Sequence, residues 1–184
     1  IDMFYQIVSD NTVDSLSYSW GLPEIFYAPE LNGGVDYTYE MGQLNQAFME
    51  AAAQGISMFT ASGDSGAYDT VSSTGATSYS TPLTVDFPSA SPYITAAGGT
   101  TLPIMFSGLS CSHGTTYDVT VPTERAWAYD YLSAYYQTCK NRTPIQAGLF
   151  SGGDGGGVSV YWATPWYQQG VAGIATSAAG QSFT

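Results

Sequence analysis

The sequence is poor in charged residues, above all in basic ones. Charged side chains make up 10% of the 184 residues, well below the share of about a quarter that is usual for soluble domains. Three Lys and Arg residues stand against 15 acidic ones, giving a formal net charge of -12. So few cations exclude a nucleic-acid groove, which must neutralise phosphates. The acidity suits a protein that works at low pH, where carboxylates repel one another less; simple solubility is the alternative explanation.

Cysteine and long apolar runs are also scarce. No apolar run is long enough for a transmembrane helix, and the first residues lack the pattern of a signal peptide. Both termini, IDMFYQIVSD and AAGQSFT, look cut from a larger protein. Cys111 and Cys139 could close one disulfide, which would fit an extracellular setting, but two thiols alone do not decide the matter.

The hydrophobic pattern predicts a folded α/β domain. Hydrophobic residues make up 44% of the chain, and its length can bury a core as one ordinary domain. Apolar residues at helical spacing predict helices over 1–10 and 39–55, and strands are expected over 13–21, 56–62 and 91–104. The first strand, the second helix and the next strand then form a parallel βαβ unit.

Such a unit places function at the carboxyl ends of its strands. Two loops qualify: the one containing Ser-Trp-Gly after the first strand, and Ser-Gly-Asp-Ser-Gly after the second. Among the remaining segments, we expect 67–92 to be mostly loop, 106–150 to be irregular or hairpin-like, and 151–168 to begin with a glycine-rich loop.

The string Gly-Asp-Ser-Gly at 63–66 also surrounds the nucleophilic serine of trypsin-like proteases. That serine needs a histidine base, which precedes it in the chain. Here the only histidine, His113, follows Ser65, and the preceding strand belongs to a parallel unit. We therefore expect Ser65 not to be a nucleophile and His113 to be a plain loop residue.

Five blocks of the sequence resemble the sedolisin family of serine-carboxyl peptidases. They are SLSYSWGLPE, LNQAFMEAAAQGISMFTASGDSG, VDFPSASPYITAAGGT, TERAWAYD and SGGDGGGVSVYWATPWYQ, in the family's order. The combination is specific, although one block alone would be weak. The resemblance implies a subtilisin-like α/β fold, a parallel sheet with flanking helices, of which 1–184 would be the incomplete central part of the catalytic domain. It also implies an acid-acting endopeptidase or tripeptidyl peptidase with a Ser-Glu-Asp triad.

In that family an aspartate of the Ser-Gly-Asp-x-Gly motif lines the oxyanion hole, and Asp64 is the matching residue. A carboxylate only accepts hydrogen bonds, so the side chain must be protonated to donate one to a developing oxyanion. This requirement fits an enzyme that works in acid. The alternative is that Asp64 only caps a turn or a helix end.

The resemblance also implies substrate-binding roles at Ser19, Trp20, Gly21, Asp86, Gly155, Gly156 and Gly157. The first three match a loop alongside the substrate, although Trp20 could equally be a core or rim aromatic. The three later glycines match a second such loop, where glycine lets another backbone approach, or form a plain turn. Asp86 could select basic substrate side chains or be a surface carboxylate.

The triad itself is missing from this sequence. The family carries a Glu-x-x-x-Asp pair upstream of the first block, a nucleophile in a Gly-Thr-Ser motif downstream, and a calcium site nearer the C-terminus. We therefore expect this segment to be inactive alone and to hold no cofactor or metal, with calcium in the complete domain. Its partners would be a peptide or protein substrate and the remaining segments of the same peptidase, which would act in trans if the protease is nicked. We expect no nucleic-acid partner and no membrane partner. The resemblance implies secretion into an acidic environment. The alternative is an inactive peptide-binding or interaction domain of the same fold.

Overall fold

The computed structural model describes residues 1–29, 32–70, 82–172 and 174, which form two compact units. The first unit comprises Ile1–Ser62, Leu83–Ala97 and Gly156–Thr184, and the second comprises Gly63–Pro82 and Gly98–Gly155. The described helices are α1 (Asp2–Asp10), α2 (Thr38–Gln54) and α3 (Ser133–Lys140), with 3-10 turns at Glu24–Tyr27, Asp130–Leu132 and Trp166–Gln168. The strands are β1 (Ser15–Tyr18), β2 (Leu22–Pro23), β3 (Ser57–Ala61), β4 (Asp86–Phe87), β5 (Thr95–Ala97), β6 (Thr100–Thr101), β7 (Ile104–Ser110), β8 (Thr116–Val121) and β9 (Arg125–Ala126).

Both predicted helices of the first unit are confirmed, and their ends have local causes. Before α2, the Asp36 carboxylate accepts hydrogen bonds from the backbone N and the hydroxyl of Thr38, at 2.8 and 2.6 Å, and so satisfies one of the helix's free donors. Gly55 ends the helix with φ 82°, in the left-handed region that glycine adopts without penalty. In α1, Phe4 and Val8 are one turn apart and both face the core.

A three-stranded parallel sheet carries the first unit. β3 lies in the centre, with β1 and β5 on either side, and Leu16 and Tyr18 stand opposite Met58 and Thr60. The strand–helix–strand arrangement from β1 through α2 to β3 confirms the expected βαβ unit. Because β1 and β3 run in the same direction, their carboxyl ends lie at one edge of the sheet.

The sheet buries one face and exposes the other. Met58 and Thr60 on β3 are buried, and Met58 packs with Phe4 and Phe48 of the two helices. The alternating positions point the other way: Ser57 is exposed, and 40% of Phe59 is exposed. This outward face includes Ser17 and Thr95, which lie opposite Phe59 on the two neighbouring strands.

The predicted third strand is interrupted. Over 91–104 the chain forms β5 and β6, which end and begin on either side of Gly98 and Gly99. β6 then pairs with β9 instead of continuing the parallel sheet. The Gly-Gly pair is therefore the point at which the chain leaves one sheet for another.

In its described part, the second unit contains a hairpin, which the sequence predicted, and the helix α3, which it did not. β7 and β8 pair in antiparallel fashion, with a register shift between Phe106 and Leu109. The expectation of an irregular or hairpin-like segment over 106–150 is thus confirmed in part, and α3 at Ser133–Lys140 is an element that it did not include. A disulfide between Cys111 and Cys139 ties α3 to the hairpin, and the Tyr135 hydroxyl donates to the Ser110 carbonyl at 2.9 Å. These tertiary contacts outweigh the modest helix propensity of its tyrosines. Within the described ranges, no helix is long and apolar enough to cross a membrane.

Candidate functional site

Asp64 lies in a glycine-framed turn shortly after β3. Its carbonyl accepts a hydrogen bond from Gly153 N at 3.0 Å, and on either side Gly155 N donates to Gly63 O and Gly66 N donates to Gly153 O, each at 3.0 Å. The turn therefore runs parallel to residues 153–155, with Ser65 bridged to Gly153. These backbone bonds fix the turn and leave the Asp64 side chain exposed.

The neighbouring serine is placed differently. Ser65 is only 7% exposed, and its carbonyl accepts a hydrogen bond from Tyr68 N at 3.1 Å. The two ring nitrogens of His113 lie 3.0 Å from Thr115 Oγ1 and 3.3 Å from the Thr138 carbonyl. Both nitrogens are thus engaged beside the β7–β8 hairpin, and the expectation that Ser65 is not a nucleophile stays a prediction.

Asp154 joins the glycine-rich loop to two other backbone segments of the second unit. Its carboxylate accepts hydrogen bonds from Gly99 N at 2.6 Å and from Trp127 N at 3.0 Å, while its own N donates to Trp127 O at 2.9 Å. One side chain therefore holds the Gly98–Gly99 turn and β9 beside the loop that contacts the Asp64 turn. No sequence motif marked Asp154 for this role.

A cavity of about 390 Å³ lies in the second unit beside this turn. Its wall includes Gly66, Tyr68, Trp127 and Gly153, together with an ion pair between Arg125 and Asp130 at 2.8 Å. Both charged side chains are well exposed, so the pair adds little stability. The aromatic lining could accept an apolar group.

Gly21 and Asp86 meet in the first unit. A Cβ atom on Gly21 would lie 1.9 Å from Asp86 Oδ2 and 2.9 Å from the carbonyl oxygen of Phe87, so only glycine fits there. Asp86 is 7% exposed, so the alternative of a surface carboxylate is wrong. The charge of Asp86 affects two neighbouring phenols. The pKa of Tyr18 is raised, first by burial and then by Asp86. The pKa of Tyr27 is raised to about 12, mainly by burial and further by Tyr18, Asp86 and Glu40.

The remaining substrate-binding candidates fall into both units. Ser19 is exposed, and Trp20 is 78% exposed, so Trp20 is not a core residue. Gly157 has φ 145°, and a Cβ there would lie 3.1 Å from Val85 Cγ1, close to Asp86 in the chain. Gly21, Asp86, Gly156 and Gly157 thus belong to the first unit, whereas Asp64 and Gly155 belong to the second.

Sequence reasoning missed Glu24, a buried carboxyl group near the candidates of the first unit. Glu24 is 3% exposed and accepts hydrogen bonds from Ser159 Oγ at 2.7 Å and Val160 N at 2.5 Å. Burial raises its pKa, and these hydrogen bonds oppose that rise. The only signal was its place in the SLSYSWGLPE block, because its partner lies 135 residues further along the chain.

The described residues contain no group of three or more His, Cys, Asp or Glu side chains able to hold a metal ion. The expectation of calcium elsewhere in a complete domain is untouched by this finding and stays a prediction.

Known proteins are similar to this chain over part of their own length. No family model matches the sequence. Over 87 residues it is 39% identical to kumamolisin from Bacillus sp. (strain MN-32), a match that spans 47% of this chain and 13% of that protein. Its structure resembles that of Pseudomonas sedolisin, a serine-carboxyl proteinase solved in complex with two molecules of pseudo-iodotyrostatin. This likeness has a TM-score of 0.58 and 28% sequence identity, and it covers 92% of this chain and 37% of the sedolisin chain.

The fold is therefore an incomplete subtilisin-like α/β fold, as the sequence predicted. The chain resembles a segment of the sedolisin family, and it spans well under half the length of both proteins. The roles of its individual site residues remain predictions.

Proposed function

We propose that this chain is the part of an acid-acting serine-carboxyl peptidase that supplies the oxyanion-hole residue Asp64 and a portion of the substrate groove. The observation that carries the proposal is the position of Asp64. Its side chain is exposed just after the central strand, on a turn fixed by backbone hydrogen bonds to residues 153–155. The family relationship supplies the class of reaction.

In this proposal a serine from another segment attacks the carbonyl carbon of the scissile peptide bond while the glutamate of the triad, also on another segment, takes the serine proton. The π electrons move to the carbonyl oxygen, and the protonated carboxyl of Asp64 donates a hydrogen bond to that oxyanion. When the intermediate collapses, the C–N bond breaks, the glutamate passes its proton to the leaving amine, and an acyl-enzyme remains. Water then attacks the ester, gives one proton to the glutamate, and the serine recovers that proton as the acid product leaves. An ionised Asp64 would repel the oxyanion, which is why the activity belongs to acidic solution.

The proposal extends to the setting of the complete protein. Secretion into an acidic environment is supported by the Cys111–Cys139 disulfide and the net charge of -12. Substrates would be peptides or proteins. Calcium would be bound by residues outside the described part, and metal analysis of the complete protein tests this.

The decisive experiment compares variants of the complete peptidase. Asp64→Ala should lower kcat by about 100–1,000-fold, the usual loss for one oxyanion donor. Asp64→Asn should also lower turnover and alter the pH profile, because an amide donates at every pH. Ser65→Ala is the matched control and should keep kcat, since Ser65 is buried.

Two results would contradict the proposal. Unchanged kinetics in Asp64→Ala would remove the oxyanion role. A complete protein that binds peptides but never cleaves them would instead be an inactive peptide-binding domain of the same fold.

A further inference from the structure

Glu24 is the buried carboxyl group around which several groove candidates of the first unit are arranged. It follows β2 directly, and β2 pairs with β4 so that Pro23 stands opposite Asp86. Its backbone N donates to the Val85 carbonyl at 2.9 Å. The backbone of Glu24 is thus anchored to Val85, the residue that directly precedes β4 and Asp86.

The side chain of Glu24 holds a different segment, the one that follows Gly156 and Gly157. Ser159 Oγ donates to Oε2 at 2.7 Å, and Val160 N donates to Oε1 at 2.5 Å. Gly157 meanwhile lies against Val85. One residue therefore connects the glycine loop to β4.

The direction of the Ser159 hydrogen bond is fixed by its other contacts. Ser159 Oγ accepts hydrogen bonds from Tyr161 N at 3.1 Å and from Trp162 N at 2.8 Å. A hydroxyl oxygen has two lone pairs, so its hydrogen must point to Glu24. Both side-chain positions of residue 24 thus have to accept, which a carboxylate does and a protonated carboxyl still does through its remaining lone pairs, whereas the NH2 group of a carboxamide cannot.

We propose that Glu24 is a positioning residue of the substrate groove, which holds the Gly156–Val160 segment against β4 so that an extended peptide can lie beside Gly157 and Gly21. This inference rests on the proposed function, because it assigns Glu24 to the groove of that peptidase. Glu24 does not touch the substrate. It acts through the backbone of residues 157–160.

The electrostatic surroundings give this arrangement a pH dependence. The three Lys and Arg residues and His113 all belong to the second unit, so within the described part of the first unit no basic side chain pairs with Glu24. The titratable groups on neighbouring elements are Asp86 on β4, Tyr27 on the same 3-10 turn and Tyr161 beyond Ser159. Since burial raises the pKa of Glu24, protonation favours the closed, buried arrangement over an open, solvated one. The segment should therefore be held most firmly in acid.

The first arm of the test uses this 184-residue chain and NMR. In the wild type, the Val160 amide shift should change as Glu24 titrates, and the protection of this amide from solvent exchange, relative to the intrinsic rate at each pH, should fall above that pH. Glu24→Gln should abolish this pH response, whereas the matched control Glu40→Gln, which changes an exposed residue of α2, should keep it. A Val160 amide that behaves alike in the wild type and Glu24→Gln would overturn the proposal.

The second arm measures peptide hydrolysis by the complete peptidase. Glu24→Gln should raise KM about tenfold with kcat changed less than about threefold, the effect of losing one hydrogen bond that positions the substrate. Ser159→Ala, the milder variant if Glu24→Gln fails to fold, should raise KM about threefold. In the Glu24→Gln background, Ser159→Ala should add nothing, because the contact is already lost.

The outcomes separate the two proposals. An unchanged KM in both Glu24→Gln and Ser159→Ala, or a fall in kcat with KM unchanged, would overturn the positioning role. A complete protein without peptidase activity would end the proposed function and with it the groove role, while the Val160 titration would still report whether Glu24 holds the segment.

Discussion

Replacing Gly21 by alanine should damage the first unit, whereas the same change at Gly42 should stabilise it. At Gly21 the new methyl would lie 1.9 Å from Asp86 Oδ2, 2.6 Å from Asp86 Cγ and 2.9 Å from Phe87 O. Asp86 is buried and Phe87 O belongs to paired backbone, so neither can move freely. Overpacking of this kind costs about 1–3 kcal/mol.

Gly42 provides the control with the opposite sign. It lies inside α2, and a Cβ there would meet no atom within 4 Å. Alanine is favoured over glycine in a helix interior by about 1 kcal/mol. The two substitutions are chemically identical, so their difference isolates the close approach at Gly21.

Urea unfolding followed by circular dichroism and tryptophan fluorescence measures both effects. With a slope of about 2 kcal/mol per M, Gly21→Ala should lower the midpoint by about 1 M, and Gly42→Ala should raise it by about 0.5 M. Adding Asp86→Ala to Gly21→Ala should recover only part of the loss, since the Phe87 carbonyl remains in the way. A midpoint for Gly21→Ala at or above that of the wild type would refute the reasoning.

Three further predictions concern the second unit and the buried carboxyl group. Reducing the Cys111–Cys139 disulfide, or replacing both residues by serine, should lower the unfolding free energy by about 3.5 kcal/mol, given the sequence separation of 28, and an unchanged urea midpoint would contradict this. Asp154→Ala should cost about 2 kcal/mol because it removes the acceptor of Gly99 N and one of the two acceptors of Trp127 N, which also donates to the Gly99 carbonyl, and Asp154→Asn should lie between it and the wild type. Asp118→Ala removes a single acceptor from the exposed hairpin, and calorimetry that finds a smaller loss for Asp154→Ala than for Asp118→Ala would contradict this prediction. Because the native pKa of Glu24 is raised above its ordinary value of 4.5, its contribution to stability is complete below that pH and is lost as the pH rises through the native pKa. Between about pH 4 and about pH 7, the free energy of unfolding of the wild type should therefore include a decrease that Glu24→Gln lacks. Equal pH slopes of the free energy of unfolding in the two proteins would contradict the assignment.

The sequence predicted the first unit well because its signals there are local. The apolar stripe of α2, its stop at Gly55 and the alternation of β3 all arise within a few residues, and the structure has them. The motif that drew attention to Asp64 also fixes its surroundings, since the flanking glycines make the backbone contacts of the turn.

What the sequence could not predict depends on contacts between distant residues. α3 is stabilised by a disulfide and by tyrosine contacts with the hairpin, which local propensity does not contain. From the sequence alone, Asp86 is expected to be exposed, as most acidic residues are. Its burial depends on the pairing of β4 with β2, which local sequence does not reveal. Glu24 and Ser159 lie at opposite ends of the chain, so nothing near either residue announces their hydrogen bond.

The outward face of the parallel sheet governs how the isolated chain will behave in concentrated solution. At neutral pH the net charge of -12 keeps copies apart even though Phe59 is 40% exposed on that face. Near the sequence pI of about 4.1 this repulsion vanishes while the exposed part of the Phe59 ring remains. Solubility should therefore pass through a minimum around that pH, and light scattering should find clusters there first.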